Sequence, residues 1–489
     1  PAAPDTAPPF PSQALARYDE GAVSEWGAVG LAGAVVKDGD LGYAEGYGVL
    51  ELGGGEAVNT QTRFAIGSTT KAMTAAALGM LVDEGRLGWD DPVVDHLPWF
   101  RLRDPWVTRE VTVRDLLTHR AGLGNADMLW YGRGDADPIE ILRSLRHVEP
   151  AYSMRSSFIY QNIMYATAGA VIESVSGMSW ADFVTTRIFE PLGMDETVAR
   201  LEGTVGRPNV ATPHAEVDGR IVAIENASVD PVDAAGSVWS SVEDMSRWLR
   251  MLLARGEAPD GTRLLEEATI DQLFRPQTMV PRNQFYPTAQ VTNPSWTTYG
   301  LAWFQHDYRG RKLDFHTGSI DGMVAIAGLI RDEALGVYVL GNLDHVEVRH
   351  ALMYRVLDHF LAPDAVRDWS RELKTLYDEI AQSQAEARAE ALADRVEGTR
   401  PSLSLEAYAG TYTHPVFGDV TVSLQDGALH VHRGEGLQGS TEHWNYDTFR
   451  VAWDARWRGD EWLTFDLAAD GAVEGLRTMG LEFGRVEAE

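Results

Sequence analysis

Residues 66–71 read Ile66-Gly-Ser-Thr-Thr-Lys71, so that a serine and a lysine stand three positions apart. The residues that follow, Met73 to Leu81, are small and apolar, and Gly85 then provides a left-handed helix stop. We therefore expect a helix that begins at Ser68 and carries Lys71 one turn further along the same face. A helix N-terminus offers free N–H groups and a positive dipole end, and both favour a developing negative charge.

This serine and lysine form a candidate nucleophile and base. A serine hydroxyl is a weak nucleophile until a base removes its proton. Lys71 can be that base only if burial and neighbouring positive charge lower its pKa. A single Ser-x-x-Lys is nevertheless more often a helix cap beside a solvated lysine, because short motifs recur by chance. The assignment of Ser68 and Lys71 therefore depends on other parts of the sequence.

A second candidate motif, Tyr160-Gln-Asn162, opens another segment with helical spacing. A phenol can relay a proton between a serine and a leaving group if a nearby lysine depresses its pKa. The carboxamide of Asn162 can hold Lys71 in place and bind a substrate amide. Taken alone, the motif also fits a half-buried tyrosine beside a helix-capping asparagine.

A third motif, His316-Thr317-Gly318-Ser319, comes just before an apolar strand. A glycine there lets a substrate lie close along the strand edge, and the backbone N–H of Ser319 could complete an oxyanion hole. Taken alone, the histidine would more often be a turn residue. We also expect His119 to be a structural, hydrogen-bonded histidine, and we leave open whether Trp296, Tyr299 and Trp303 line a cleft or belong to the core.

The remaining pattern predicts an α+β domain. Val29–Val36 reads as a buried strand that returns through the Asp38-Gly39 turn, and Val324–Ile330 and Gly336–Leu340 read as two more strands. Between them lie helical segments, such as Ile163–Val175 and Met245–Leu253. Sheet at both ends with helices between them predicts an antiparallel sheet, flanked by helices and closed by the two ends of the domain, with a helical lobe inserted.

The C-terminal part has a different pattern. Residues 364–397 are charged, alanine-rich and helical, which indicates a connector that breaks at Gly398 and Pro401. Beyond it, apolar residues alternate around the turns Asp426-Gly427 and Asp470-Gly471. This pattern predicts a meander of hairpins that forms a second, small all-β barrel or sandwich.

In this order and at these wide separations, the three motifs resemble those of the serine β-lactamase and penicillin-binding-protein superfamily, closest to its class C-like branch of D-aminopeptidases and esterases. Further stretches resemble that branch: Val111–Leu123, Ile188–Met194, Ala235–Ser241 and Tyr299–Trp303. The last part resembles the lipocalin-like domain often appended to such enzymes. The resemblance divides the chain into a flexible lead-in (1–20), a β-lactamase-like hydrolase domain (21–363), a helical linker (364–400) and a lipocalin-like β-barrel (401–489).

The resemblance implies a two-step acyl transfer. Ser68 attacks a carbonyl and forms an acyl-enzyme, and backbone N–H groups of Ser68 and Ser319 hold the oxyanion. Lys71 or Tyr160 protonates the leaving group, and which of the two is the general base stays open. Most β-lactamases and D,D-carboxypeptidases of the superfamily carry Lys where this chain has His316, and a histidine, which titrates near neutrality, is charged less reliably.

That departure favours a peptidase, amidase or esterase that acts on short peptides, D-amino-acid amides or small esters. The alternatives are a β-lactamase or D,D-carboxypeptidase, a slow-turnover penicillin-binding sensor, and a non-catalytic scaffold, against which the intact Ser68, Lys71 and Tyr160 argue. Small-molecule or short-peptide substrates are the expected partners, and a homo-oligomer stays open. No cofactor or metal is expected, since the histidines show no metal-ligand spacing.

Composition limits the other partners and suggests a compartment. The formal net charge of −30 disfavours nucleic acid and anionic lipid, and no apolar run is long enough to insert in a membrane. The absence of cysteine excludes disulfides, thiolate catalysis and cysteine-ligated zinc. The start at Pro1-Ala-Ala-Pro, without Met, is typical of a mature end after signal-peptide removal, so we expect a periplasmic or secreted protein.

Overall fold

The computed structural model describes residues 10–133, 136–434 and 436–487. The strands within these residues are β1 Gly30–Lys37, β2 Asp40–Gly48, β3 Phe64–Ala65, β4 His214–Val217, β5 Arg220–Ala223, β6 Trp239–Ser240, β7 Thr278–Met279, β8 Thr297–Tyr299, β9 Phe304–Tyr308, β10 Arg311–Ile320, β11 Met323–Ile330, β12 Leu335–Gly341, β13 Gly410–His414, β14 Gly418–Gln425, β15 Ala428–His432, β16 Gln438–Asn445, β17 Thr448–Trp453, β18 Glu461–Leu467, β19 Val473–Thr478 and β20 Leu481–Arg485.

The α-helices of the same residues include several single turns. They are α1 Ser12–Glu25, α2 Lys71–Asp83, α3 Val93–His96, α4 Pro105–Glu110, α5 Val113–Leu116, α6 Pro138–Ser144, α7 Ile163–Ser176, α8 Trp180–Val184, α9 Glu190–Leu192, α10 Asp233–Gly236, α11 Val242–Leu253, α12 Glu267–Leu273, α13 Ala289–Thr292, α14 Val348–Leu361, α15 Trp369–Ala393 and α16 Leu405–Tyr408. None of them has the length and hydropathy of a membrane-spanning helix.

An antiparallel sheet in the order β2-β1-β12-β11-β10-β9-β8-β7 forms the centre of the first domain. The register pairs Leu31 with Gly341, so the two ends of the domain meet in neighbouring strands, as the sequence predicts. Every residue of β11 is buried, because helices cover both faces of the sheet. Helices α2, α7 and α11 pack on one face, and α1, α14 and the start of α15 pack on the other.

The N-terminal segment is more ordered than the sequence predicts. Residues 12–20, assigned to a flexible lead-in, form most of α1, while residues 1–9 lie outside the described part of the chain. The helix forms because Leu15 and Ala22 pack into the core, and because buried Asp19 accepts a hydrogen bond from the Tyr43 hydroxyl at 2.5 Å. Isolated apolar residues in a polar, proline-led stretch gave little signal of this packing.

The predicted linker helix also belongs partly to the first domain. Trp369, Leu373 and Leu376, in the first turns of α15, are buried against α14 and the sheet. The second half of α15 is exposed except at Leu392, which is half-buried. Helix α15 therefore starts as a core element and only then becomes a connector, so the predicted linker boundary at residue 364 is too early.

The C-terminal domain is a closed antiparallel barrel in which β13 to β20 follow one another and β20 pairs back with β13. This is the small all-β barrel that the alternation predicts. Its interior is filled by side chains, among them Tyr412, Phe449 and Phe465, so it is a packed core.

Candidate active site

Ser68 lies where two backbone segments approach closely. The residues Gly67–Thr70 form a 3₁₀ turn, and the α-helix proper begins only at Lys71, three residues later than the sequence predicts. Gly67 has φ of +51°, and a Cβ there would lie 2.6 Å from the Ser319 nitrogen. A Cβ at Gly318 would collide with the Ile66 carbonyl oxygen. The two glycines therefore let the Ser68 turn sit against β10.

Lys71 is completely buried and makes three contacts through its Nζ. The amine lies 2.9 Å from Ser68 Oγ, 2.6 Å from Asn162 Oδ1 and 2.9 Å from the carbonyl oxygen of Ala235. Burial lowers the pKa of Lys71 to about 7, and the nearby carboxylate of Asp127 acts in the opposite direction. A large fraction of this lysine is therefore neutral at physiological pH and can accept a proton.

Asn162 connects Lys71 to an acidic side chain that the sequence did not indicate. Its Oδ1 accepts from Lys71, while its Nδ2 donates to both carboxylate oxygens of Asp127 at 3.1 Å each. Asp127 also accepts from the indole N–H of Trp130 at 3.0 Å. Asp127 sits in a loop without periodicity, 35 positions before its partner, and no sequence signal marks it.

The phenol of Tyr160 faces the same pocket. Lys71 Nζ is 4.9 Å from its ring centroid, and the Tyr160 hydroxyl is buried without a hydrogen-bond partner among the described residues. Burial raises the pKa of Tyr160 well above its usual value, and the neighbouring Ser68 hydroxyl lowers it only in part. The depressed pKa that a proton-relaying phenolate needs is therefore absent in this state, because burial outweighs the effect of the Ser68 hydroxyl.

His119 supports Tyr160 from behind. The two ring centroids are 4.3 Å apart, and His119 Nδ1 accepts the backbone N–H of Gln161 at 3.1 Å. Burial and the charge of Lys71 lower the pKa of His119 well below its usual value. His119 is thus a neutral, hydrogen-bonded structural histidine, as the sequence predicts.

The third motif lies within β10, where residues 316–319 extend beyond the segment that pairs with β9. His316 is buried, with Nε2 3.1 Å from the Tyr299 hydroxyl and Nδ1 2.5 Å from the Thr317 carbonyl oxygen. Burial, assisted by the charge of Lys71, lowers the pKa of His316 to about 3. The expectation that this histidine titrates near neutrality is therefore wrong.

Two of the aromatic residues left open by the sequence belong to the core. Tyr299 is fully buried beside His316, and Trp303 is buried against Phe274. Trp296 is partly exposed. On the rim of the pocket, the hydroxyls of Tyr286 and Thr317 lie 2.7 Å apart. Tyr299 and Trp303 therefore support the site from the protein core and do not line an open cleft.

The barrel contacts the mouth of the pocket through a carboxylate that follows β10. Asp321 accepts from Trp457 Nε1 at 3.1 Å and from Arg458 Nη2 at 3.3 Å, and the guanidinium of Arg458 lies 4.5 Å from the Tyr131 ring centroid. Arg433 of the barrel also donates to the carbonyl oxygen of Met128. The barrel therefore packs on the loop that carries Asp127, a contact that the sequence did not predict.

Comparisons with known proteins agree with this geometry. A family model described as "Beta-lactamase" matches residues 15–361, and one described as "Domain of unknown function (DUF3471)" matches residues 394–487. The unguisins hydrolase ungD' of Aspergillus campestris is 29% identical over 417 residues, which cover 82% of this chain and 75% of that protein. Penicillin-binding protein 4 of Amycolatopsis lactamdurans is 30% identical over 316 residues, which cover 64% of this chain and 80% of that protein.

Solved structures show the same architecture. The octameric penicillin-binding protein homologue from Pyrococcus abyssi superposes with a TM-score of 0.63 at 22% identity, covering 96% of this chain and 98% of that one. A D-stereospecific amidohydrolase from a Streptomyces species gives a TM-score of 0.57 at 24% identity, covering 72% of this chain and 99% of that one. With a family model over most of the chain, the three motifs around one pocket are those of a known hydrolase fold, and the chain belongs to the β-lactamase family.

Proposed function

We propose that this protein is a serine hydrolase that forms an acyl-enzyme on Ser68 and acts on short peptides, D-amino-acid amides or small esters. The observation that carries the proposal is the contact between Ser68 Oγ and Lys71 Nζ at 2.9 Å, with burial lowering the pKa of that lysine to about 7. A neutral amine at hydrogen-bond distance from a half-buried hydroxyl is an activated nucleophile.

In the first step Lys71 is the general base. Its neutral amine accepts the Ser68 proton as Oγ bonds to the substrate carbonyl carbon, and the carbonyl electron pair moves to the oxygen. When the tetrahedral intermediate collapses, the bond to the leaving group breaks and that group needs a proton. Tyr160, which stays protonated because burial raises its pKa, donates this proton and recovers one from Lys71.

Two backbone N–H groups are assigned to the oxyanion, those of Ser68 and Ser319. The support is the approach of the two segments: a Cβ at Gly318 would lie 3.0 Å from the Ser68 nitrogen, and one at Gly67 would lie 2.6 Å from the Ser319 nitrogen. Both nitrogens therefore lie where the Ser68 turn meets β10. In the second step the neutral amine of Lys71 accepts a proton from water as the water oxygen attacks the acyl carbon. When this second tetrahedral intermediate collapses, the bond to Ser68 Oγ breaks, and the Ser68 alkoxide takes that proton from Lys71 as the acid product leaves.

Charge at the site favours substrates without a carboxylate. His316 is neutral because its pKa is lowered to about 3, and Lys71 is engaged with Ser68 and Asn162. Arg349, behind β10, is buried and paired with Glu347 at 2.9 Å. A substrate carboxylate would find no free cation among these groups, whereas a neutral amide or ester needs none.

A penicillin-reactive protein is the second candidate, either a β-lactamase, a D,D-carboxypeptidase or a slow-turnover sensor. The 30% identity with a penicillin-binding protein favours it, and His316 weighs against it. We further propose that the protein is exported to the periplasm or medium and that its barrel is lipocalin-like. We also propose a homo-oligomer, which the octameric homologue supports.

Steady-state hydrolysis separates these candidates. The proposal predicts turnover of p-nitrophenyl butyrate and D-alanine p-nitroanilide that is lost in Ser68→Ala, with slow or no turnover of benzylpenicillin. Fast penicillin hydrolysis would favour a β-lactamase. A stable penicillin adduct without turnover of any ester or amide would favour the sensor.

A further inference from the structure

Arg349, at the start of α14, lies directly behind Gly318 and Ser319 of β10, the residues whose shared peptide N–H is assigned to the oxyanion. Its Nη1 is 2.5 Å from the carbonyl oxygen of Gly318, 3.0 Å from Ser319 Oγ and 3.2 Å from the carbonyl oxygen of Ala325. Resting on the function proposed above, we infer that Arg349 is a positioning residue that polarises the Gly318–Ser319 peptide group and so strengthens the N–H that receives the oxyanion.

The orientation of this peptide group follows from its geometry. The described chain contains no cis peptide bonds, and in a trans peptide the C=O and the N–H point in opposite directions. Arg349 holds the Gly318 carbonyl on the α14 side of β10. The N–H of Ser319 must then point to the other side, where Gly67 and the Ser68 turn approach it.

The electrostatic effect has the sign that catalysis requires. A guanidinium that hydrogen-bonds a carbonyl oxygen draws electron density towards that oxygen and makes the N–H of the same peptide group a stronger donor. Negative charge develops on the substrate oxygen only as the tetrahedral intermediate forms. A stronger donor therefore stabilises the transition state more than the bound ester or amide.

The charge and position of Arg349 are themselves fixed. Its Nε and Nη2 pair with both oxygens of Glu347, at 3.0 and 2.9 Å, and Glu347 also accepts from His350 Nδ1 at 3.0 Å. Burial alone would raise the pKa of Glu347, but Arg349 and His350 hold it well below its usual value. The guanidinium is thus held by Glu347 on one side, and its Nη1 contacts β10 and β11 on the other.

This role is distinguishable from a purely structural one by spectroscopy. The carbonyl stretch of an acyl-enzyme moves to lower wavenumber as hydrogen bonds in the oxyanion hole strengthen. The probe is the butyryl-enzyme made from carbonyl-labelled p-nitrophenyl butyrate at pH 8 and then moved to pH 5, where Lys71 is protonated and deacylation slows.

Two variants test the role of Arg349. The first is Arg349→Lys, which keeps a charge but cannot contact Glu347 and Gly318 together. The second is the double variant Arg349→Met with Glu347→Gln, which removes both buried charges.

Both variants should raise the carbonyl wavenumber and lower kcat/KM for p-nitrophenyl butyrate by about tenfold, less than the ~10²–10³-fold loss on removing an oxyanion donor. Arg355→Met, on the same helix but away from β10, is the matched control and should change neither. An unshifted carbonyl band in acylated Arg349→Lys or in the double variant would overturn the inference, even if activity falls. If the wild-type protein forms no butyryl-enzyme at all, the proposed function fails instead.

Discussion

Lys71 offers the most quantitative prediction, because its pKa sets how much base is available at each pH. With a pKa of about 7, about 90% of the amine is neutral at pH 8, whereas at the ordinary value of 10.5 only about 0.3% would be. Burial therefore raises the concentration of base by roughly 300-fold at that pH. Because the neutral amine is the active form, kcat/KM for p-nitrophenyl butyrate should rise tenfold per pH unit below about 7 and then level off.

Asp127 provides the perturbation that tests the cause. Its carboxylate acts to raise the pKa of Lys71, so Asp127→Asn should move the acid limb of the profile to lower pH. The plateau should also fall, because Asn162 loses the carboxylate that positions it. Asp95→Asn, at an exposed position of α3, is the matched control and should leave the limb in place.

The assay is the initial hydrolysis rate from pH 5 to pH 9 at constant ionic strength, with substrate well below KM. If kcat/KM is still rising tenfold per pH unit at pH 9, or if its rise shifts to higher pH in Asp127→Asn, Lys71 is not the neutral base. If the profile has its midpoint at about pH 7 in both the wild-type protein and Asp127→Asn, only the electrostatic effect of Asp127 on Lys71 is refuted.

The other predictions concern the leaving group, the turn, the histidine and the barrel. Tyr160→Phe should reduce turnover of D-alanine p-nitroanilide about 100-fold but that of p-nitrophenyl butyrate far less, because only the anilide leaving group needs a proton; equal losses would contradict the assignment. Gly318→Ala should abolish measurable activity and lower Tm, since its Cβ meets the Ile66 carbonyl; near-normal kinetics would count against the close approach. His316→Asn should leave the acid limb at about 7, because His316 is already neutral; a moved limb would assign the titration to it. Arg458→Ala should broaden acceptance of longer peptide anilides, because Arg458 ties the barrel to Asp321; an unchanged length profile would exclude the barrel as a wall.

Sequence patterns predicted the parts of the fold that rest on continuous apolar runs. The buried helix after Lys71, the strands that pair through Leu31 and Gly341, and the barrel meander all follow from periodicity and turn residues. Residues of the three motifs also lie close together, because the Ser68 turn and the segment before α7 both approach the end of β10. Local pattern and fold agree at these positions, which is why the prediction succeeds there.

The features that the sequence did not predict depend on contacts between residues that are far apart in the chain. Asp127 reaches Asn162 from an irregular loop, and Asp321 meets Trp457 across two domains, so neither pairing has a local signature. The pKa of His316 is set by the depth of its burial and by Lys71, which motif reading cannot supply. Helix α1 is held by a few tertiary contacts rather than by strong periodicity, and the sequence therefore assigned it to a flexible lead-in.

Intact-protein mass spectrometry after reaction with a fluorophosphonate tests the central claim most directly. The account predicts a single phosphonyl adduct on the wild-type protein that is absent in Ser68→Ala, with peptide mapping that places it on Ser68. An adduct that persists in Ser68→Ala, or its absence in a wild-type protein that hydrolyses esters, would contradict Ser68 as the nucleophile.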